Sequence, residues 1–323
     1  MNSKEIVKKA IEMKNPPRVP LFYFNKYKER SDIASTGYKE AADFKFKGTD
    51  KSEWGFEWES LDNTMGQPKH PPITSWDKMD GYKSPDPNAA GRFDHIPDFI
   101  NSNKDKYLIG SIGISGFNFV TFIRGFESTL EDLYFEKENI GNLIDIVFSF
   151  EKEIIKNYGR YGLDAVAFGD DWGTQNSLMI SPALWREVFK PRYKEQFDLI
   201  HNQGMHVYFH SCGYIYDIIP DLIEIGVDIL NLNQPDLFGV EKLGRDFGGK
   251  VCFNCPVDHQ TVAINGTRDE IFDYARRLKT NLGSFNGGFI GYIEEYSSIG
   301  MSDENFQSII QAFNEIKLKS GME

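Results

Sequence analysis

His210 and Cys212 lie two positions apart, at the end of a strand-like segment that begins at His206. Side chains at positions i and i+2 of a strand point to the same face, so this pair can bind one ion together. An imidazole with one or two thiolates is a typical zinc ligand set, and three protein ligands leave a position open for chemistry. The same two residues also fit ordinary buried strand positions, because a free cysteine is among the most buried residue types.

Two later segments offer a third metal ligand. Segment 250–255 contains Cys252 and Cys255, and we favour Cys255 because it lies nearer to the end of the predicted strand. Cys252 would then face the opposite side and pack in the core. Glu294 follows the last predicted strand and is the alternative oxygen donor. The sequence leaves the choice between Cys255 and Glu294 open.

The elements that must position these residues alternate between strands and helices. Strand patterns occupy 18–25, 107–114, 165–168, 206–212, 229–232, 250–255 and 288–293, with helical patterns between most of them. Such alternation implies βαβ units and a parallel sheet. We expect an eighth strand inside the irregular insertion at about 26–106. The predicted fold is therefore α/β, a single (β/α)8 barrel domain over residues 1–323.

Barrel enzymes build their active sites at the carboxyl ends of the strands, and polar or aromatic residues follow several predicted strands here. Asp170 and Asp171 are candidates for a metal ligand, a partner of His210 or a general base; a solvated loop pair is the alternative. The candidate substrate-binding residues are Asn25, Trp172, Gln234 and Tyr292. Four aromatic residues of the insertion could line an aryl pocket or pack over the barrel end: Trp54, Phe56, Trp58 and Trp76.

The composition excludes several classes of partner. The chain has 36 basic and 48 acidic residues, a net charge of −12, which opposes binding to nucleic acid or to an anionic membrane surface. No apolar run approaches the ~20 residues of a membrane-spanning helix. The first residues lack the apolar core of a secretory signal, and three cysteines do not suggest a disulfide framework. We therefore expect a protein of the reducing cytoplasm.

Several motifs occur in an order that resembles a known superfamily. The segments that carry the resemblance are 169–175 (GDDWGTQ), 180–185 (ISPALW), 190–192 (KPR), 210–213 (HSCG), 219–228 (IPDLIEIGVD), 233–235 (NQP) and 256–260 (PVDHQ). Together they resemble the uroporphyrinogen decarboxylase superfamily over roughly residues 105–320. The resemblance implies one (β/α)8 barrel, in agreement with the alternation of strands and helices.

The superfamily contains at least two chemistries, and the residues after the first predicted strand help to separate them. The true decarboxylases bind a porphyrinogen with many carboxylates through arginines of a Met-Arg-Gln-Ala-Gly-Arg type motif, and they need no metal. Here residues 22–30 read FYFNKYKER, in which Lys26, Lys28 and Arg30 have a different arrangement. Lysine does not simply replace arginine in bidentate carboxylate recognition. The clamp that the decarboxylases use is therefore absent from this place.

The other branch comprises zinc-dependent, corrinoid-linked methyltransferases, including enzymes of methanol, methylamine and aryl methyl ether metabolism. These carry a His-x-Cys pair, which His210 and Cys212 match, and a distant Cys. In the coenzyme M methyltransferases that Cys lies on the last strand, where this chain has Tyr292 and Glu294. This departure again leaves Cys255 and Glu294 as alternatives for the third ligand.

The resemblance thus implies methyl transfer, of the O-demethylase-like kind, between a small methylated molecule (an ether, alcohol or thiol) and a corrinoid protein. Zinc would be held by His210, Cys212 and either Cys255 or Glu294. The chain lacks an Asp-x-His-x-x-Gly corrinoid-binding motif, so the cobalamin is expected on a separate protein. Two alternatives stay open: a metal-free decarboxylase of a tetrapyrrole, and a non-catalytic barrel that binds a tetrapyrrole or corrinoid.

Overall fold

A computed structural model describes residues 1–44, 51–60 and 66–318. The strands, in chain order, are β1 Leu21–Tyr23, β2 Ile33–Gly37, β3 Glu57–Glu59, β4 Gln67–Lys69, β5 Tyr107–Ile114, β6 Ala165–Gly169, β7 His206–His210, β8 Ile229–Asn231, β9 Cys252–Cys255 and β10 Phe289–Ile293. The α-helices are α1 Ser3–Ile11, α2 Ile96–Ser102, α3 Gly116–Arg124, α4 Phe126–Phe135, α5 Lys137–Tyr161, α6 Pro182–Val188, α7 Lys190–Asn202, α8 Ile219–Glu224, α9 Val240–Phe247, α10 Val262–Asn265, α11 Arg268–Leu282 and α12 Asp303–Leu318. Within these described ranges, none of the helices combines the length and the apolar character needed to cross a membrane.

Eight of the strands form one parallel sheet in the order β1-β10-β9-β8-β7-β6-β5-β2. The two ends of the sheet meet where the Asp32 backbone N–H donates to the Leu21 carbonyl at 2.9 Å. The surrounding helices make this a nearly closed (β/α)8 barrel, which confirms the fold prediction. The eighth strand, β2, lies in the insertion, as expected. In the same region, β3 and β4 form a short antiparallel pair.

Alternating side chains of the strands fill two separate apolar layers. Tyr208, Ile229, Cys252 and Ile290 belong to the cluster inside the barrel. Their chain neighbours, such as Phe253, belong to the larger cluster between the strands and the helices. Because side chains of a strand alternate between the two faces, this division decides which residues can reach the barrel mouth.

Helix α1 covers the amino-terminal end of the barrel. It starts with a capping box, in which the Asn2 side chain accepts from Glu5 N–H and the Glu5 side chain accepts from Asn2 N–H. Val7 and Ile11 of this helix join the apolar cluster inside the barrel. The carboxyl end of the barrel is therefore the end where a site can open to solvent.

The aromatic residues of the insertion pack against helix α3. The contacts are Trp54 and Phe56 with Phe119, Phe56 and Trp58 with Phe122, and Trp76 with the Arg124 guanidinium. Edge-on aromatic pairs of this kind are typical of packed cores. These contacts agree with the alternative that the four residues pack over the barrel end.

Candidate metal centre

Three side chains with different donor atoms converge at the carboxyl ends of β6 and β7. The sulfur of Cys212 lies 3.4 Å from Nε2 of His210, and Oδ1 of Asp171 lies 3.5 Å from the same nitrogen. One donor atom from each residue fits within 4.8 Å of the other two. We call these three residues the triad. The sequence pointed to His210 and Cys212, and Asp171 takes the third place.

The register of the sheet explains why the triad forms. Gly169, the last residue of β6, pairs with His210, the last residue of β7, so the two strands end side by side. Asp171 and Cys212 each follow their strand by two residues. The Cys212 backbone N–H donates to Asp171 Oδ1 at 2.6 Å, which locks the two loops together.

A close approach of two glycines lets these loops run side by side. The Gly173 backbone N–H donates to the Cys212 carbonyl at 3.2 Å. A Cβ on Gly213 would lie 2.2 Å from the Gly173 carbonyl oxygen, and Gly213 has a φ of 75°. Both the contact and the left-handed backbone exclude a larger residue at Gly213. Gly213 is therefore required if the loop is to hold the Cys212 thiol in this position.

Asn118 fixes the backbone of Asp171 from helix α3. The Asp171 N–H donates to Asn118 Oδ1 at 2.6 Å, and Asn118 Nδ2 donates to the Asp171 carbonyl at 3.1 Å. This reciprocal pair leaves the Asp171 carboxylate directed at His210 and Cys212. Asn118 and Asp171 are 53 positions apart in the chain, so it is the fold that brings them together.

His210 is oriented by a neighbour on the next strand. Its Nδ1 lies 2.6 Å from Oδ1 of Asn231, the residue that pairs with it across β7 and β8. This contact leaves Nε2 to face the other two members of the triad. A ligating histidine normally has its second ring nitrogen held in this way, so the ring is arranged as a metal ligand would be.

The triad fits a divalent transition metal. One imidazole nitrogen, one sulfur and one carboxylate oxygen are all donors that zinc accepts, and three protein ligands are the number found in catalytic zinc sites. Burial raises the pKa of the Cys212 thiol, and the nearby Asp171 carboxylate raises it further. A metal that binds sulfur must therefore displace a proton. The donor set is compatible with zinc.

The family model of uroporphyrinogen decarboxylase (URO-D) matches residues 55–291. The chain belongs to the uroporphyrinogen decarboxylase family. No curated protein sequence matches the chain.

Several solved structures are similar to this member of the URO-D family. A methyltransferase from Methanosarcina mazei matches with a TM-score of 0.71 at 13% identity, over 98% of this chain and 99% of that one. Xylanase 10B from Thermotoga maritima matches with a TM-score of 0.47 at 9% identity, over 98% of both chains. An L-ribulose 3-epimerase has a TM-score of 0.46 at 13% identity, over 72% of this chain and 82% of that one. At 13% identity, the likeness to the Methanosarcina mazei methyltransferase shows a shared fold.

In this URO-D family barrel, Cys255 does not reach the triad, which corrects the preferred third ligand. Cys255 is fully buried in the apolar layer between strands and helices, whereas Cys252 lies inside the barrel. The prediction that the two cysteines face opposite sides is confirmed, but the sides are exchanged. Sequence alternation fixes only which residues share a face. It does not say which face is the interior.

Asp170 does not join the triad either, although it precedes Asp171 directly. Its carboxylate accepts the backbone N–H groups of Phe117 and Asn118 at 3.0 and 2.9 Å, and the hydroxyl of Tyr193. It therefore caps the first turn of helix α3. Burial raises its pKa above the usual range of a carboxyl group. The prediction of a catalytic Asp170 gives way to a structural role.

Glu294 lies at the end of β10 inside the mouth, but outside the triad. It is 9% exposed, and no lysine or arginine pairs with it within the part of the chain that the structure describes. Burial raises its pKa to about 7, and Tyr292 opposes the shift in part. Glu294 is thus a carboxyl group that can hold a proton near neutral pH, and its service as a metal ligand stays a prediction. His259 is also close; burial lowers its pKa to about 4, and repulsion from His210 contributes in the same direction.

The four predicted substrate-binding residues have different positions in the mouth. The side-chain amide of Asn25 bonds the backbone of Glu295: it donates to the Glu295 carbonyl at 2.8 Å and accepts from the Glu295 N–H at 2.9 Å. Trp172 is fully buried and stacks on Phe117, with the two ring centroids 4.6 Å apart. Both residues therefore support the loops of the mouth.

Gln234 and Tyr292 lie closer to the triad. Gln234 Oε1 accepts the backbone N–H of Gly213 at 3.1 Å, and the Gln234 side chain opposes the rise in the pKa of Cys212. Tyr292 belongs to the cluster inside the barrel and neighbours Glu294. Substrate binding by either residue stays a prediction.

Proposed function

We propose that this URO-D family member is a zinc-dependent methyltransferase that moves a methyl group between a small methylated substrate and a corrinoid protein. One observation carries the proposal: Asp171, His210 and Cys212 bring an oxygen, a nitrogen and a sulfur donor within 4.8 Å of one another at the mouth of the barrel. A porphyrinogen decarboxylase has no need of such a donor set.

His210, Cys212 and Asp171 would hold the zinc, and a substrate heteroatom would take the position that the protein leaves open. When bound, zinc supplies a Lewis acid that polarises the oxygen of an ether or alcohol, or that acidifies a thiol. The residues of the chain supply orientation. Asn231 holds the ring of His210, and the Asp171 side chain accepts a hydrogen bond from the Cys212 backbone.

Glu294 provides the proton chemistry in this proposal. Removal of a methyl group from an ether or alcohol leaves an oxygen that needs a proton. Because burial raises the pKa of Glu294 to about 7, this carboxyl group is protonated in a large fraction of the molecules at neutral pH. A general acid works best with a pKa near the working pH. Glu294 would therefore protonate the leaving oxygen, and the three triad residues would be the ligands that the chain supplies to zinc.

The cobalamin would come on a separate corrinoid protein. The chain has no Asp-x-His-x-x-Gly motif, and the resemblance to the corrinoid-linked branch motivates this partner. The fold shared with the Methanosarcina mazei methyltransferase over nearly the whole of both chains is in keeping with it. The barrel mouth with the triad is where such a partner would have to present its corrinoid.

The arrangement of basic residues after β1 gives no support to the decarboxylase alternative. The Arg30 guanidinium lies 4.6 Å from the ring of Tyr27, and the Lys26 ammonium lies 5.2 Å from the ring of Phe306. Both cations are thus engaged with aromatic rings. A substrate with many carboxylates would need cations that converge on its binding site.

The first test is the metal content of the protein purified without added metal, measured by elemental mass spectrometry. We expect about one zinc per chain, with loss of the zinc in Cys212→Ala. Cys252→Ala is the matched control, because this thiol is buried inside the barrel but is no member of the triad. Methyl transfer is then assayed from methyl ethers, alcohols and thiols to a corrinoid protein, followed by the change in cobalamin absorbance. A metal-free Cys212→Ala variant that keeps full activity would contradict the proposal.

A further inference from the structure

A row of polar side chains runs from His210 of the triad through Asn231 to Asn254 along one layer of the barrel. His210, Asn231, Asn254 and Ile290 are register partners on β7, β8, β9 and β10, so they form one layer of the sheet. Asn231 and Asn254 are 2% and 0% exposed. Buried amides inside a barrel are costly unless all of their hydrogen bonds are made, so the orientation of each amide in this row is determined by its partners.

Backbone carbonyls set the direction of each hydrogen bond in the row. Asn231 Nδ2 donates to the Asn254 carbonyl at 2.6 Å, and Asn254 Nδ2 donates to the Ile290 carbonyl at 3.1 Å. A carbonyl can only accept, so neither amide can be turned around. Oδ1 of Asn231 must therefore face His210, and Oδ1 of Asn254 accepts the hydroxyl of Tyr208 at 2.7 Å.

The orientation of Asn231 selects one tautomer of His210. An amide oxygen is an acceptor, so Nδ1 of His210 must carry the proton in their 2.6 Å hydrogen bond. In the neutral ring Nε2 is then unprotonated and presents its lone pair to Cys212 and Asp171. A carboxylate in the place of Asn231 would select the same tautomer, but it would also add a negative charge and make the ring more basic.

We propose that Asn231 is a positioning residue that holds His210 in its Nε2-ligating tautomer without adding charge, and so keeps a bound metal strongly electrophilic. This inference rests on the proposed metal site. It deepens that function, because a more electrophilic metal favours a substrate whose poor leaving group, an alkoxide or phenolate, needs polarisation. Asn254 and Tyr208 act at one further step, as the support of Asn231.

The first experiment measures the tautomer directly in the metal-free protein. Two-bond nitrogen–proton NMR correlation of ¹⁵N-labelled His210 distinguishes a protonated Nδ1 from a protonated Nε2. In the wild type and in Asn231→Asp we expect the proton on Nδ1, and in Asn231→Leu we expect a mixture. A proton on Nε2 in the wild type, or an unchanged tautomer in a folded Asn231→Leu protein, would overturn the inference. This measurement needs neither zinc nor activity, so it fails or succeeds independently of the proposed function.

The second experiment measures zinc affinity by competition with a chromogenic chelator. Loss of the orienting partner in Asn231→Leu should weaken zinc binding by about 10- to 100-fold. Asn231→Asp should tighten it by about 10-fold and yet slow methyl transfer, because the added charge lowers the electrophilicity of the metal. A purely structural role would lower affinity and activity together, and that result would overturn the inference. Tyr208→Phe should show the smallest change, since the Tyr208 hydroxyl bonds the Asn254 side chain and acts on Asn231 only through Asn254.

Asn157→Leu is the matched control for the removal of a buried amide. Asn157 lies on helix α5 and donates to Asn88 Oδ1 at 2.8 Å and to the Glu153 carbonyl at 2.9 Å, away from the triad. Its loss should lower stability but leave the His210 tautomer and the zinc affinity unchanged. A fall in zinc affinity in this control equal to that in Asn231→Leu would assign the effect to general destabilisation and would overturn the inference.

Discussion

Asp170 and Asp171 are neighbours in the chain with the same side chain, yet they belong to two different regions. Asp170 is fully buried and accepts two backbone N–H groups at the start of α3 and the hydroxyl of Tyr193. With Glu151, which accepts the Gly116 N–H at 2.8 Å, it forms what we call the α3 cap cluster. The Asp171 side chain is 42% exposed and faces His210 and Cys212 in the triad.

The difference lies in how many hydrogen bonds each carboxylate has left to make. The carboxylate of Asp170 accepts three fixed donors and is fully buried, so it is closed to a ligand. Asp171 accepts one backbone N–H and otherwise faces two further donor atoms and solvent. A charged side chain that the protein leaves incompletely satisfied is available for chemistry, and one that the protein saturates is available for stability.

The largest effect on stability should follow from removal of Asp170. In Asp170→Ala three buried donors lose their acceptor, and each costs ~1–3 kcal/mol, so we expect the free energy of unfolding to fall by about 4 kcal/mol. Chemical denaturation followed by circular dichroism measures this change. Asp170→Asn is the matched variant, because it keeps one acceptor oxygen and should lose about half as much.

A change below about 1 kcal/mol in Asp170→Ala would break the comparison, since the α3 cap cluster would then have no special role in stability. Loss of zinc in a folded Asp170→Asn protein would also break it. That outcome would show that the two aspartates share one function.

The α3 cap cluster and the barrel mouth each contain a buried glutamate, and both glutamates should make the free energy of unfolding depend on pH in the same way. Burial raises the pKa of both Glu151 and Glu294 from 4.5 to about 7. Each group then binds more protons in the folded state between these values, so its stabilising contribution is complete below about pH 4.5 and is lost as the pH rises through about 7. The loss is about 3 kcal/mol for each group. Denaturation of the wild type, Glu151→Gln and Glu294→Gln over this range should show a shallower decline in each variant.

The rate of methyl transfer should differ between Glu151→Gln and Glu294→Gln. Only Glu294 lies in the mouth, so Glu294→Gln should lower the rate by ~10²-fold or more, as expected for loss of a general acid. Glu151→Gln should keep the rate of the wild type wherever it is folded. An unaffected rate in Glu294→Gln would remove the proton donor from the proposed mechanism and leave the zinc site untouched.

Asp171→Ala should have the opposite profile to Asp170→Ala. Because the side chain is 42% exposed, we expect the free energy of unfolding to change by about 1 kcal/mol or less. Loss of one of three ligands should weaken zinc binding by ~100-fold or more, which corresponds to about 2.7 kcal/mol. Chelator competition measures the affinity, and Asp171→Asn separates charge from hydrogen bonding to Cys212. Unchanged affinity in both variants would remove Asp171 from the ligand set.

The sequence was sufficient for the barrel and for the His210–Cys212 pair, because both depend on local patterns. Strands β5 and β7 begin and end within two residues of the predicted bounds, and β2 was placed in the insertion by the requirement for an eighth strand. The outward position of Cys255 could not be predicted, since alternation does not identify the interior. Asn231 could have been found: it is a polar residue among apolar ones in a short strand, and a buried polar residue needs a reason.

The smallest effect should come from Cys255→Ala, and it sharpens the comparison between residues that pack and residues that bind. The Cys255 thiol is fully buried between strands and helices, so its removal should lower the free energy of unfolding by about 1 kcal/mol. Zinc content and methyl transfer should equal those of the wild type, in contrast with Cys212→Ala. Elemental mass spectrometry of the two variants side by side decides the matter. A loss of zinc in a folded Cys255→Ala protein would contradict this expectation. It would mean that the mouth rearranges on metal binding, because in this structure the Cys255 side chain lies on the outer face of β9 and cannot reach the triad.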